Sequence, residues 1–159
     1  MNIQKTFLIA LAFGLGAASA CQADNVGKKL SDVGKWAIYQ DIDPATGEAS
    51  CTGLYQDDGN IQLARAALYF SLSGRGGVKA YTTRYDNLRP NPVHLATKME
   101  TDLSIAAIRG PDFATLTSST RFRIHILTAQ NQAFDYDLDL TDIAAATAFI
   151  NGPDCRTAA

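Results

Sequence analysis

Apolar and polar residues alternate over much of the chain, and the alternation is cleanest in RFRIHILTAQNQAFDYDLDL, Arg121 to Leu140. Phe122, Ile124 and Ile126 alternate with Arg121, Arg123 and His125. Further on, Phe134, Tyr136, Leu138 and Leu140 alternate with Asp135, Asp137 and Asp139. Period-2 patterning predicts two half-buried strands. An antiparallel pair must set apolar opposite apolar, so paired residue numbers sum to an even value. That requires an odd-length loop around Gln130–Gln132 and rules out a two-residue turn. The same register lines Arg and His up against Asp, so one face is core and the other a charged ladder.

The same pattern predicts a first strand from Trp36, a second over Ala49–Tyr55 and a third over Leu63–Leu72. DPATGE (Asp43 to Glu48) and DDGN (Asp57 to Asn60) read as turns. SGRGG (Ser73 to Gly77) reads as a hairpin loop, after which Val78–Tyr85 returns. Proline in RPNP (Arg89 to Pro92) breaks the pattern, because it cannot donate to a ladder. Val93–Lys98 and Leu103–Arg109 are further strand candidates, and Asp112–Thr120 supplies one or two helical turns after Pro111. The period then changes. Thr141 or Asp142 caps a helix whose apolar side is Ile143, Ala144, Ala146, Phe149 and Ile150, and Gly152 followed by Pro153 stops it. The expected class is mainly β, an antiparallel sandwich or barrel with a short C-terminal helix.

The N-terminus follows a different logic. Lys5 is the only charge among the first twenty residues, Phe7 to Ala18 is apolar or glycine, and Ala18-Ser19-Ala20 follows. These are the features of a secretory signal peptide over residues 1–20. The run is too short to span a bilayer. Residues 21–34 are polar and read as a tether, leaving 35–159 as a single β-rich domain. The fold is therefore expected in the periplasm, at the outer membrane or outside the cell.

Export places the three cysteines in an oxidising compartment, where they tend to pair. Cys51 and Cys155 bracket the domain and are the expected disulfide. It closes a loop of roughly 100 residues, worth about 4–5 kcal/mol on the chain-entropy model. Cys21 is then odd, and three fates are open. Ala-Ser-Ala-Cys resembles a bacterial lipoprotein signal, in which Cys21 is diacylated. Cleavage after Ala20 leaves a free thiol, and cleavage after Ala23 discards it.

Composition adds exclusions. The formal net charge is −2 with no basic run, which speaks against nucleic acid. Membrane contact is expected only through a lipid on Cys21. No G-x-S-x-G, S-x-x-K, H-E-x-x-H or C-x-x-C motif occurs, so no catalytic residue, metal or cofactor is assigned. Asp41, Asp43 and Glu48 lack the further oxygens and the glycine of a calcium loop. Asp135, Asp137 and Asp139 face cations, which lower a carboxyl pKa when a general acid needs it raised. His94 and His125 read as surface residues.

One surface suggests binding. A hairpin around SGRGG that sets Phe70 opposite Ala80 puts Tyr69 opposite Tyr81 and Arg65 opposite Tyr85. Tyrosines with a nearby arginine form an amphipathic platform of the kind enriched at binding hot spots. Arg65, Tyr69, Tyr81 and Tyr85 are the candidate ligand-binding residues.

Trp36-Ala-Ile, Cys51 some fifteen residues on, and the terminal helix DIAAATAFI leading to Cys155 resemble the invasion-associated locus B family, small exported proteins of α-proteobacteria. The resemblance spans about residues 35–155. It implies an extracytoplasmic β-rich fold and a role at the host or envelope interface, and it brings no catalytic residues. The expected function is a non-enzymatic binding module for a protein or surface ligand. An accessory subunit of an envelope complex and an unrecognised hydrolase are the alternatives.

Overall fold

The computed structural model describes residues 27–156. The signal segment, Cys21 and the start of the tether lie outside the described residues.

Six strands form the larger sheet: β1 (Lys28–Val33), β2 (Trp36–Ile42), β3 (Ala49–Tyr55), β4 (Asp58–Ala64), β5 (Ala67–Ser71) and β8 (Ile105–Arg109), in that spatial order. The smaller sheet runs β10 (Ala133–Asp139), β9 (Arg121–Thr128), β6 (Val78–Tyr85) and β7 (His94–Leu95). Neighbouring strands are antiparallel throughout. Two stacked sheets, not a closed barrel, make the expected mainly β class a sandwich.

Strand alternation places the core. Trp36, Ile38, Tyr55, Leu63, Leu68, Phe70 and Ile108 share the inner face of the larger sheet, opposed by Tyr85, Phe122, Ile124 and Leu138. Phe70 bridges the layers, with ring centroids 6.0 Å from Phe122 and 5.1 Å from Tyr136. The rest of that inner face meets helix α3 (Ile143–Asn151), which buries Ile143, Ala146 and Ile150. A last turn, α4 (Pro153–Arg156), brings the Cys155 sulfur to disulfide distance, 2.18 Å, from Cys51. Beside it the buried Gln40 amide donates to the Cys155 carbonyl at 2.9 Å. The expected pairing of Cys51 with Cys155 is therefore present, and it clamps the C-terminal helices on β3.

The β9–β10 hairpin follows the expected register. Phe134 faces Ile126, Asp135 faces His125 and Asp137 faces Arg123, every pair summing to an even number. Thr128 N–H donates to the Gln132 carbonyl across a three-residue loop, and Asn131 takes the left-handed conformation that such a loop uses.

Several expectations are corrected. Lys28–Val33, read as tether, is an edge strand: its register against β2 uses Gly34, at φ +56°, in a tight turn. Leu63–Leu72 is broken at Arg65–Ala66, where a two-residue turn folds β5 back on β4. The strand expected over Val93–Lys98 keeps only two residues. Helix α1 (Lys98–Leu103) starts instead, under a reciprocal cap in which Thr97 accepts from the Glu100 N–H and Glu100 accepts from the Thr97 N–H. The helical turns after Pro111 are α2 (Gly110–Thr117). Asp142 makes no side-chain cap, and Gly152 is extended at φ −79°, because Pro153 opens a new turn there.

SGRGG is not a hairpin loop. Gly74 and Gly76, at φ +76° and +90°, turn the chain out of one sheet and into the other. β5 then pairs with β4 and β8, and β6 with β9 and β7.

Candidate functional site

That corner disperses the tyrosine platform. Tyr69 lies on the outward face of the larger sheet, half-buried, with the Arg109 guanidinium 5.1 Å from its ring centroid. Arg65 is exposed in the β4–β5 turn, where its carbonyl accepts from the Asn151 side chain. Tyr81 and Tyr85 point inward from β6 and are 6% and 3% exposed. The Tyr85 hydroxyl donates to the Asp112 carbonyl at 3.1 Å, and burial, aided by the Asp112 charge, pushes its pKa up to about 12. The four candidates do not share a surface.

Tyr81 instead belongs to a junction between the sheets. Its hydroxyl lies 3.0 Å from Glu100 Oε1 and 3.1 Å from the Ala107 carbonyl. Glu100, 4% exposed, also accepts from Ala107 N–H at 3.3 Å through Oε1. Through Oε2 it accepts from Thr97 N–H at 2.8 Å and Thr97 Oγ1 at 2.9 Å, and His94 Nε2 stands 3.2 Å away. The His94 ring stacks on Tyr81, centroids 4.4 Å apart. Burial works against the charge of Glu100, but the donors from Thr97, His94 and Tyr81 outweigh it and hold its pKa below the ordinary range. Burial, then the Glu100 charge, push the Tyr81 hydroxyl up. An ionised carboxylate with every lone pair directed at a donor is an anchor: it satisfies the free edge of β8 and ties α1 to β6.

The outward face of the smaller sheet is more open. Register sets Leu95, Ala80, Leu127 and Ala133 in one transverse row across all four strands. Leu95 is 75% exposed. The next outward row is Thr82, His125 and Asp135, and the one after is Arg84, Arg123 and Asp137. The face thus grades from apolar to charged. His125 Nδ1 lies 2.7 Å from Asp135, and Arg121 Nε donates to Asp137 at 2.7 Å. The Arg121 guanidinium, against the opposing effect of burial and with a lesser contribution from the charge of Arg123, keeps Asp137 below its ordinary pKa.

Arg84 and Arg123 stand directly opposite each other on neighbouring strands. Arg123 Nη2 donates to the Asp86 carbonyl at 2.7 Å. The Arg84 side chain makes no hydrogen bond or ion pair with another described residue, and the Nε of each arginine is buried without an acceptor. Both line a groove of about 320 Å³, walled by Pro90 on one side and Asp135 and Asp137 on the other. Non-local pairing creates this site, and only the β6–β9 register would have disclosed it.

Among the described residues no group of three or more His, Cys, Asp or Glu is placed to hold a metal ion, and no helix is long and apolar enough to cross a membrane. Comparison with known proteins finds no matching family model, curated protein or solved structure.

Proposed function

We propose that this is an exported, non-enzymatic binding protein of the bacterial envelope that presents the outer face of its four-stranded sheet to a protein or surface ligand. One observation carries the proposal: four hydrogen-bonded strands display an apolar row and, two rows on, a cross-strand arginine pair over a groove. Apolar area beside arginine on a preorganised scaffold is the composition of a binding surface. The saturated hydrogen bonding of Glu100 supports a structural role for the one deeply buried carboxylate among the described residues. The N-terminal signal features support export, and the resemblance to the invasion-associated locus B family supports the envelope or host interface. A lipid on Cys21 would hold the domain at the membrane.

Site-specific photo-crosslinking tests the surface. A photoreactive residue replacing His125 should capture one defined species in the native envelope fraction. The same residue replacing Gln62, on the opposite sheet, should not. Equal labelling from both positions would defeat the assignment. The intact mass of the native protein reports the state of Cys21.

A further inference from the structure

Two guanidinium groups directly opposite each other on a sheet repel, and such a pair is usually answered by carboxylates lying close by. Here the neighbouring carboxylates are committed elsewhere. Asp137 faces Arg123 in register but forks onto Arg121. Asp135 is taken by His125. Asp86 Oδ1 accepts from the Thr120 and Arg121 N–H groups and the Thr120 hydroxyl, each at 2.9 Å, and it is the Asp86 backbone carbonyl that takes Arg123. No carboxylate is therefore hydrogen-bonded to either arginine of the pair, and each Nε–H is a buried donor without an acceptor, an arrangement that costs stability.

We propose that Arg84 and Arg123 form an oxyanion-binding site, which takes a carboxylate, sulfate or phosphate group on a larger ligand. Guanidinium forks match the spacing of such oxygens and give shared, charge-assisted hydrogen bonds. The groove admits one such group between Pro90 and the β10 carboxylates. The Leu95–Ala80–Leu127 row lies two outward rows, four residues, along the strands, so the remainder of an elongated ligand would extend over it. Like-charge repulsion that is kept in the fold and relieved by an anion gives the site its specificity. The proposal rests on the outer face being the binding surface.

The test is titration of the whole folded domain at constant ionic strength with sodium acetate, sulfate and phosphate, and chloride as reference, following the arginine Nε–Hε resonances. At least one oxyanion should shift the Arg84 and Arg123 resonances together and saturably, and Arg84→Gln should abolish the Arg123 shift. Saturation by acetate alone marks a carboxylate ligand; saturation by sulfate or phosphate marks a tetrahedral one. Removing the repulsion should also raise the melting temperature of Arg84→Gln by roughly 1–4 °C in chloride, while the rise induced by the oxyanion is lost. Arg123→Gln serves as the second variant if Arg84→Gln does not fold. Shifts that never saturate, match those in chloride, or persist in the variant overturn the site. If crosslinking from position 125 succeeds while every oxyanion fails, the site falls and the surface stands. If the oxyanion saturates while crosslinking is nonselective, the anion site stands without the partner surface.

Discussion

The Tyr81 hydroxyl sits 3.0 Å from Glu100 Oε1, a link from the inner face of one sheet to a short helix that caps the edge of the other. Glu100→Ala would leave the Ala107 N–H, the Thr97 N–H and His94 without their acceptor inside the fold. The expected loss is about 2–4 kcal/mol of unfolding free energy, measured by urea denaturation. Glu100→Gln retains one acceptor oxygen and should lose less. Equal stability of wild type and Glu100→Ala would show that water replaces the carboxylate at no cost.

Acid should destabilise the fold through the same group. Glu100, Asp86, Asp137 and Asp139 all have pKa values held below the ordinary carboxylate range. A depressed folded pKa gives stability that is complete above the unfolded value and is lost as pH falls through the folded one. Unfolding free energy should be flat above about pH 5 and decline below about pH 4. Glu100→Gln should make that decline shallower. At the other end Tyr85, with its folded pKa raised, contributes stability below about pH 10 that is lost as pH rises toward its folded value. Denaturation midpoints from pH 2 to 11 would reveal both limits.

Cys51 and Cys155 are 104 residues apart in sequence. Reduction, or the Cys51→Ala and Cys155→Ala double variant, should lower stability by about 4–5 kcal/mol on the chain-entropy model. The effect should centre on the docking of α3 and α4, so amide exchange there should rise first. A reduced protein that keeps full protection in α3 would refute the clamp.

The exposed ion pairs should matter little. His125 and Asp135 are both largely solvent-accessible, and His125→Ala should change stability by less than about 1 kcal/mol. A larger loss on thermal melting would mean that the charged ladder orders the β9–β10 hairpin beyond its surface pairing.

The parts legible from sequence were those set by neighbours along the chain. The β9–β10 register followed from alternation, because a slip of one residue would send Phe122, Ile124 and Ile126 into water. The C-terminal helix followed from its period and its Gly-Pro stop. Local pattern does not say which strand a segment joins, and there the expectation failed. Tyr69 and Tyr81 share a face only if β5 and β6 pair, and the glycines of SGRGG instead carry the chain to the second sheet. Arg84 meets Arg123 across 38 residues of intervening chain, beyond any periodicity. The helix at Lys98 was different: Thr97-Lys-Met-Glu100 is a legible capping box, and the apolar run before it masked the signal.

Among the described residues strand β10 pairs on one side only, with β9, so its other backbone edge offers a place for a further strand. Its solvent face carries Asp135, Asp137 and Asp139. Recruitment of a second copy along that edge would stack three carboxylates against three, a mutual repulsion that guards the sheet against runaway polymerisation. Neutralising these aspartates would remove the guard while leaving the core intact, and the loss would be seen in colloidal behaviour: fibrils or precipitate from a protein that still folds.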